Sequence, residues 1–393
     1  MKHLLLATAT TALIAGAAGA EEVKLGLHLG FTGPLESMAP DIAAGAEAAA
    51  KEVSESGLLL DGSTVTTSRS DTTCIDAAAG TAAAERQVAE GVRAMVGGQC
   101  SGETIAALEN VAIPNGVMMI SPSATSPALT TIEDQGLFFR TAPSDARQGE
   151  VIAQLLKDKG IESIAITYTN NDYGKGLADS IQAAFEGMEG NVTTSAAHDD
   201  GKGDYSAEVA ALAAAGGEAL VVAGYVDQGG SGVTRGALDT GAFDMFVFPD
   251  GMVGQELVDR FGSEINGSIG INPAAEGDGR DRFMELSEAG GFDGSGAYSG
   301  EAYDAAALIL LSMQAAGSSD PAAAKDKVME VANAPGEQIL PGELAKGLEL
   351  LAAGTDIDYV GATAVELVEP GESAGSYRET TITDGALEVV GFH

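Results

Sequence analysis

Short apolar runs alternate with alanine-rich amphipathic segments along the first third of the chain. Apolar runs of this length predict strands, and apolar residues at three- and four-residue spacing predict helices. The pattern predicts strands at 23–29, 64–70, 93–97 and 116–120, and helices at 41–53, 76–90 and 104–111. Strands that alternate with helices in this way are typical of a parallel sheet covered by helices on both faces.

A second series of the same kind begins near Ser144. It predicts helices at 145–159, 174–186, 204–214 and 229–240, and strands at 163–168, 191–195, 219–224 and 245–248. Two such series predict two similar α/β lobes rather than one large sheet. From residue 274 the chain becomes largely helical, above all at 301–316, and it ends with β-rich pieces at 363–368 and 377–390. This last part has too few strands for a third lobe, so we expect it to pack onto the first two.

The amino-acid composition indicates how many hydrophobic cores the chain can form and which binding partners its charge excludes. The chain has 393 residues, of which 45% are hydrophobic, which is enough for two cores of ordinary size. Its 58 acidic residues outnumber 20 basic ones, and an anionic field of that strength repels nucleic acid and anionic membranes. The acidic residues occur singly along the predicted helix faces, which is typical of a solvent-exposed surface.

The first twenty residues are predicted to be a signal peptide. Lys2 forms a short positive region, an apolar stretch follows, and Ala18-Gly19-Ala20 is a small-residue cleavage site. The alternative is a membrane anchor, but the stretch is too short to span ~30 Å of hydrocarbon. We therefore expect residues 1–20 to direct export to the periplasm, without direct membrane insertion. No cysteine precedes Cys74, which excludes a lipid-modified N-terminal cysteine.

Cys74 and Cys100 are the only cysteines in the sequence. An oxidising compartment favours a disulfide between them. The alternatives are a metal pair or a catalytic thiol. They lack support, because the histidines outside the signal peptide are scattered and no Cys/His/carboxylate spacing resembles a metal site.

Hydroxyl side chains cluster where first-lobe strands end. In parallel α/β sheets, ligands bind in the loops beyond the carboxyl ends of the strands. Hydroxyls close to helix N-termini suit an anion such as a carboxylate, although ordinary helix capping is the alternative. The hydroxyl residues in these loops are Ser101, Thr104, Ser121, Ser123 and Thr125.

The corresponding loops of the second series carry Tyr173, Tyr225 and Asp250. Two aromatic residues and an acid suit a cation attached to an apolar body, whereas the alternative for the tyrosines is core packing. Because both sets fall at the same topological position, together they resemble a clamp for a zwitterion.

Enzymatic motifs are scarce. The sequence contains no G-x-S-x-G elbow, no P-loop and no G-x-G-x-x-G that opens a helix. No nucleophile or acid–base pair can be placed, so we expect no catalytic residue, no metal and no cofactor, and we expect a protein that is not an enzyme.

Five sequence blocks occur in the order seen in one family. They are V-G-G-Q-C-S-G-E-T, M-I-S-P-S-A-T-S-P-A-L-T, F-F-R-T-A-P-S-D-A-R-Q-G, Y-T-N-N-D-Y-G-K-G-L-A and F-P-D-G. With these blocks the chain resembles the periplasmic solute-binding components of ABC importers, of the leucine/isoleucine/valine-binding type. The likeness runs over nearly the whole chain after the signal peptide.

This resemblance implies a type I periplasmic binding protein fold, an α/β fold with two Rossmann-like lobes. The lobes are built on central parallel sheets and joined by a three-crossing hinge, and the ligand cleft lies between them. Lobe 1 would comprise residues 21–143 and 274–370, and lobe 2 residues 144–273 and 371–393. Such lobes close on their ligand in the manner of a Venus flytrap.

The resemblance also implies roles for individual residues. Ser101 and Thr125 match the hydroxyls that bind an α-carboxylate, helped by backbone amides around Ser123 and Ala124. Cys74 and Cys100 match the first-lobe disulfide.

In the second lobe, Tyr173 and Tyr225 match the aromatics that close over the ligand. Asp250 matches the acid that pairs with the α-ammonium, where branched-chain-binding members usually have Glu. Met38 stands where an aromatic often lines the side-chain pocket. The Asp and Met substitutions leave open which ligand side chain is bound.

The expected function is therefore an exported receptor for a small amino acid, branched-chain or a similar zwitterion. It would pass this ligand to an ABC permease in the inner membrane, without contacting nucleic acid. One alternative is the same fold binding urea, a short amide, or an aromatic or aliphatic carboxylate. A secreted two-lobed hydrolase is the alternative of a different class.

Overall fold

A computed structural model describes residues 20–393 of the protein. The predicted signal peptide, 1–20, falls almost entirely outside the described residues. Within residues 20–393, no helix is long and apolar enough to cross a membrane.

The first lobe is built on a seven-stranded sheet in the order β13-β14-β5-β4-β3-β1-β2. Pairing is parallel throughout β1 to β5, with Leu25 opposite Ala94 and Met119 opposite Phe138, while β13 runs antiparallel to β14. The strands are β1 (Glu22–Leu29), β2 (Thr64–Asp71), β3 (Ala94–Gly97), β4 (Met118–Ser121), β5 (Phe138–Arg140), β13 (Leu367–Val368) and β14 (Glu372–Ser373).

Helices from both halves of the chain cover the first sheet. The long helix α11 (Ser299–Ala316) is apolar around most of its circumference, and sixteen of its residues are buried. It packs against α1 (Ala39–Ser56), so this helix after residue 274 packs onto the first of the two lobes, as expected for this part of the chain. The other helices of this region are α2 (Ala77–Ala89), α3 (Ser101–Ala107), α4 (Ile113–Asn115), α10 (Asp278–Gly290), α12 (Pro321–Ala324), α13 (Val328–Ala332) and α14 (Leu344–Ala352), with a small parallel pair β11 (Glu337–Ile339) and β12 (Ile357–Tyr359).

The second lobe has a sheet of the same size, in the order β16-β15-β10-β9-β8-β6-β7. Its central strands are parallel, and β15 and β16 add an antiparallel edge. The strands are β6 (Ser163–Thr169), β7 (Asn191–His198), β8 (Ala219–Ala223), β9 (Phe246–Phe248), β10 (Ile269–Pro273), β15 (Tyr377–Thr383) and β16 (Ala386–Phe392); the helices are α5 (Asp145–Asp158), α6 (Asp172–Gly187), α7 (Ser206–Ala215), α8 (Gly229–Thr240) and α9 (Gln255–Phe261). The expected two-lobed α/β architecture is confirmed, with mixed rather than purely parallel sheets.

The chain passes between the sheets three times, at 141–144, 274–277 and 374–376. Hydrogen bonds hold these segments together: Ala274 N–H donates to the Ser376 carbonyl at 3.1 Å, and the hydroxyl of Tyr377, at the start of β15, donates to the Ser144 carbonyl at 3.3 Å. Glu372 pairs with Arg140 of β5, so the first sheet continues past the boundary expected at residue 370. The division into lobes is otherwise still a prediction.

The structure differs in two ways from the elements predicted after β3. Helix α3 begins at Ser101 rather than Thr104, because the Glu103 carboxylate accepts the N–H groups of Gln99 and Cys100 and fixes the first turn. A π-helical stretch follows at Leu108–Ala112. The earlier start places Ser101 directly at the junction of strand β3 and its helix.

Candidate ligand-binding site

A small cavity, with a volume of about 10 Å³, lies between the two lobes, at the carboxyl ends of their strands. Loops after β1, β3 and β4 line it from the first lobe, and loops after β6, β8 and β9 from the second. This is the position expected for a ligand in parallel α/β sheets. The lining residues are Leu35, Met38, Gln99, Cys100, Ser101, Ser123, Tyr173, Tyr225, Asp250, Gly251 and Tyr298.

Asp250 lies at the centre of the second-lobe half. The Tyr173 hydroxyl donates to its Oδ1 at 3.0 Å and accepts the Gly251 N–H at 3.1 Å. The Tyr298 hydroxyl, from the first lobe, donates to Oδ2 at 2.5 Å. Two tyrosines therefore hold the carboxylate in place, and one of them bridges the cleft.

The protonation states in this network follow from burial. Burial raises the pKa of Asp250, while hydrogen bonds from Tyr298 and Tyr173 oppose that rise. Burial, followed by the nearby charge of Asp250, raises the pKa of Tyr173 and of Tyr298 well above the usual range. Both tyrosines thus keep their protons, as donors to a carboxylate must.

The two serines of the cavity differ in what they offer a ligand. Ser101 Oγ accepts the Ser126 N–H at 3.1 Å, so its own hydrogen is free to be donated into the cavity. Ser123 Oγ donates to the Gln99 carbonyl at 3.0 Å, so its lone pairs remain as acceptors. One serine suits an anionic group of a ligand and the other suits an N–H group.

Tyr225 is stacked on Tyr173, with ring centroids 5.1 Å apart and planes 11° from parallel. Asn171 caps helix α6 through its Oδ1, and its Nδ2 donates to the Tyr225 hydroxyl at 3.2 Å. The Tyr225 hydroxyl accepts this bond and retains its hydrogen for donation. The cavity therefore has two free hydroxyl donors, Ser101 and Tyr225, and two acceptors, Asp250 and Ser123, which is the pattern that a carboxylate and an ammonium require together.

The loop after β4 places the other predicted residues outside the cavity lining. Ser121 Oγ donates to the Gly98 carbonyl at 2.7 Å and accepts the Ala124 N–H at 2.9 Å, which makes it a turn residue. Ala124 and Thr125 are buried behind this turn. Thr125 Oγ1 has no hydrogen-bond partner among residues 20–393.

Met38 lines the cavity beside Leu35, and both are buried. Gln99 joins their loop to β3, because its Oε1 accepts the Gly30 N–H at 2.9 Å and its Nε2 donates to the Leu35 carbonyl at 3.2 Å. The amide is thus occupied in holding the loop rather than free for a ligand.

Sequence-based prediction missed Tyr298, Gln99 and Leu35. Gln99 and Leu35 lie in the loops that follow β3 and β1, and this position at the end of a strand was the available signal. Tyr298 precedes α11 and adopts a left-handed backbone with φ of 65°. A tyrosine in that place carries no sequence signal for a cleft residue.

Cys74 and Cys100 form the predicted disulfide, with Cα atoms 5.2 Å apart. Cys100 precedes Ser101, so the disulfide fixes the start of α3 next to the cavity. Within the described part of the chain, no group of three or more His, Cys, Asp or Glu side chains is arranged to hold a metal ion.

The sequence of this chain is similar to those of known proteins. The family described as periplasmic binding protein matches residues 22–340. The chain belongs to the periplasmic binding protein family. This periplasmic binding protein is 32% identical to the Leu/Ile/Val-binding protein homolog 1 of Brucella melitensis over 327 residues, which cover 81% of this chain and 86% of that protein.

Further relatives show the range of the family. A leucine-, isoleucine-, valine-, threonine- and alanine-binding protein of Pseudomonas aeruginosa is 29% identical over 85% of this chain and 88% of its own length. Among solved structures, the leucine-binding protein LivK of Thermotoga maritima has a TM-score of 0.79 at 21% identity, covering 94% of this chain and 98% of that one. A solute-binding protein of Rhodopseudomonas palustris in complex with p-hydroxybenzoic acid has a TM-score of 0.76 at 18% identity, covering 95% and 97%. The two structures share the fold of this chain.

Proposed function

We propose that this periplasmic binding protein captures a small amino acid, branched-chain or similar, by closure of its two lobes. The observation that carries the proposal is the division of polar groups in the cavity. Ser101 and Tyr225 have hydroxyl hydrogens free for a carboxylate, and Asp250 and Ser123 have acceptors free for an ammonium. Two relatives support the same ligand class by name, the Leu/Ile/Val-binding protein homolog 1 of Brucella melitensis and the leucine-, isoleucine-, valine-, threonine- and alanine-binding protein of Pseudomonas aeruginosa.

The proposal extends to transport and location. The amino acid would be delivered to an ABC permease in the inner membrane, after export of the protein to the periplasm through the signal peptide at 1–20. N-terminal sequencing of the exported protein should begin at Glu21. Transport of the bound amino acid into cells should be lost when the gene for this protein is deleted.

A thermal-shift screen tests the ligand class. Branched-chain amino acids, alanine, glycine, urea, short amides and plain carboxylates are each added to the purified protein. A ligand that binds only the folded protein raises the melting temperature by mass action, and we expect the amino acids to do so. If only carboxylates without an amino group, or only urea and amides, raise it, the ammonium role of Asp250 is wrong.

The same sample distinguishes a receptor from a hydrolase. A bound amino acid should remain chemically unchanged when followed by NMR over hours. Turnover of any bound compound would contradict the proposed receptor function.

A further inference from the structure

A second cavity, which we call the hinge cavity, lies next to the ligand cavity. Its volume is about 10 Å³, which is room for a single water-sized group or a small ion. Arg280 and Glu301 line it from the first lobe, Arg378 lines it from the second, and the hinge crossing at 274–277 forms part of its wall. Tyr298 lines both this cavity and the ligand cavity, so the two are neighbours.

The two guanidinium groups of the hinge cavity have no carboxylate partner. Arg280 donates from Nη1 to the Gly294 carbonyl at 2.9 Å, and Arg378 donates from Nη2 to Oδ1 of Asn272 at 3.4 Å. The Nε of Arg378 is buried and has no hydrogen-bond partner among residues 20–393. Within the same residues, the arginines that pair with a carboxylate lie elsewhere. Charges withdrawn from water are normally paired, so two unpaired guanidiniums at one cavity indicate a binding site for an anion.

The surroundings add to the positive potential in the hinge cavity. Burial lowers the pKa of Arg378, and the nearby charge of Arg280 lowers it further. Nη1 of Arg280 lies 3.8 Å from the position that a Cβ on Gly300 would take, at the start of the 18-residue helix α11. The N-terminal end of a helix carries a partial positive charge. Asp41 and Asp293 line a wider cavity that Arg378 also borders, but neither forms a salt bridge with it.

Glu301 is the only acid among the residues that line the hinge cavity. Burial raises its pKa to about 7, although the charges of Arg280 and Arg378 oppose that rise. Asp304 adds to the rise, but its Oδ2 accepts the N–H of Thr363 at 2.9 Å and the hydroxyl of the same residue at 2.6 Å. Below about pH 7 the carboxyl of Glu301 is therefore largely uncharged and does not neutralise the two guanidiniums.

We propose that a small monovalent anion, chloride, binds in the hinge cavity between Arg280 and Arg378. The anion accepts hydrogen bonds from the two guanidiniums, and the Nε of Arg378 is one of the donors. It offsets the repulsion between a cation of the first lobe and a cation of the second. Chloride therefore stabilises the junction of the lobes.

The anion is linked to the ligand cavity through Tyr298. This residue lines the hinge cavity, and its hydroxyl donates to Asp250 in the ligand cavity. The arrangement of the lobes that binds the anion is thus the one that forms the ligand site. We expect chloride to raise the affinity for an amino acid at least about fivefold, which is the lower end of typical coupling between two sites. This link rests on the proposed function, whereas the anion site itself does not.

Crystals of the ligand-free wild type soaked in sodium bromide provide the first test. Bromide replaces chloride and is located by its anomalous scattering. We expect a peak between the guanidiniums of Arg280 and Arg378. Peaks at exposed positions alone would overturn the proposal.

The second test compares melting temperatures of the ligand-free protein in sodium chloride and in sodium gluconate, at equal ionic strength and pH 6. Gluconate is too large for the hinge cavity, so only chloride should raise the melting temperature of the wild type, and the rise should saturate. Arg378→Gln should show no such rise. Arg282→Gln, an exposed residue of the same helix as Arg280, is the matched control and should respond like the wild type.

The same measurement at pH 8 tests the part that Glu301 plays. Its ionised carboxylate should compete with chloride for the guanidiniums, so the chloride effect on the wild type should be smaller at pH 8 than at pH 6. Glu301→Gln should keep the full effect at both pH values. An effect on the wild type that grows with pH would contradict the site.

Titration calorimetry with L-leucine, L-valine and L-alanine in the two salts tests the link to the ligand. If none of them binds in either salt, the proposed function fails, and the bromide peak still decides the anion site. If one binds equally well in both salts, the link is wrong. A chloride effect on the melting temperature that persists in Arg378→Gln would overturn the stabilising role of the anion. If that variant does not fold, the bromide peak in the wild type decides.

Discussion

A contact between the lobes at the edge of the ligand cavity leads to a prediction about ligand release. Asp227 lies in the second lobe, two residues after Tyr225, and its Oδ2 accepts the Ser37 N–H of the first lobe at 3.0 Å. Its own N–H donates to the Pro34 carbonyl at 3.2 Å. Ser37 and Pro34 belong to the loop that carries the cavity residues Leu35 and Met38. The contact therefore joins the two lobes beside the cavity.

Asp227→Ala removes the bond to Ser37 and leaves the backbone bond to Pro34 intact. A hydrogen bond to a charged group contributes about 1.5–3 kcal/mol. Asp227 also pairs with Arg260 at 3.0 Å, but Arg260 is in the same lobe and 37% exposed, so that pair adds little to closure. The closed state should lose about 1.5 kcal/mol, which corresponds to roughly a tenfold change in an equilibrium constant.

The assay is the release of radiolabelled amino acid from the protein after addition of excess unlabelled ligand. We expect release from Asp227→Ala to be about ten times faster than from the wild type, with a much smaller change in the association rate. Asp239→Ala, which removes an exposed carboxylate of α8, is the matched control and should release at the wild-type rate. An unchanged release rate for Asp227→Ala would refute the role of this contact.

Further predictions concern stability and the bridge across the cleft. Burial raises the pKa of Glu301 from 4.5 to about 7. Between these two pH values the native protein retains a proton that the unfolded chain loses. The free energy of unfolding of the protein therefore falls as the pH rises from 4.5 to about 7. Glu301→Gln should be about 3 kcal/mol more stable than the wild type in urea at pH 9 and equal to it at pH 4, whereas the exposed control Glu288→Gln should show no such difference. A pH-independent effect of Glu301→Gln would contradict the pKa. Tyr298→Phe should weaken amino-acid binding roughly tenfold by calorimetry, through loss of the bond to Asp250, and unchanged affinity would remove Tyr298 from the site. Reduction of the disulfide, which spans 26 residues, should lower the free energy of unfolding by roughly 3 kcal/mol in a denaturant titration, and an unchanged midpoint would contradict this.

Much of the fold could be predicted because its signals are local. Alternating strands and helices are visible in short windows, and α8 (Gly229–Thr240) begins and ends at the residues predicted for it. Strand β5 escaped prediction because three residues, Phe138–Arg140, are too few to show a period. Strand β14 escaped it because its single pairing, of Glu372 with Arg140, joins residues far apart in the chain.

The candidate site likewise has residues that could be predicted from local sequence and one that could not. Tyr173, Tyr225, Asp250 and Ser101 could be placed together from the rule that strand ends meet at one edge of a sheet, and all four line the cavity. Tyr298 could not, because it reaches the cavity from the start of a helix in the other lobe.

The hydrogen-bond partners of the polar groups in the cavity also could not be predicted from the sequence. Whether Ser101 donates or accepts depends on the Ser126 N–H, which reaches it only in the folded loop.

The most direct test of the zwitterion site is calorimetric titration of the wild type and Asp250→Ala with L-leucine and with 4-methylpentanoate, which lacks only the amino group. We expect the wild type to bind leucine at least about thirtyfold more tightly than 4-methylpentanoate, because only leucine has an ammonium for the buried carboxylate. In Asp250→Ala that preference should largely disappear. Equal binding of the two compounds by the wild type, or a preference that survives in Asp250→Ala, would contradict the proposed site.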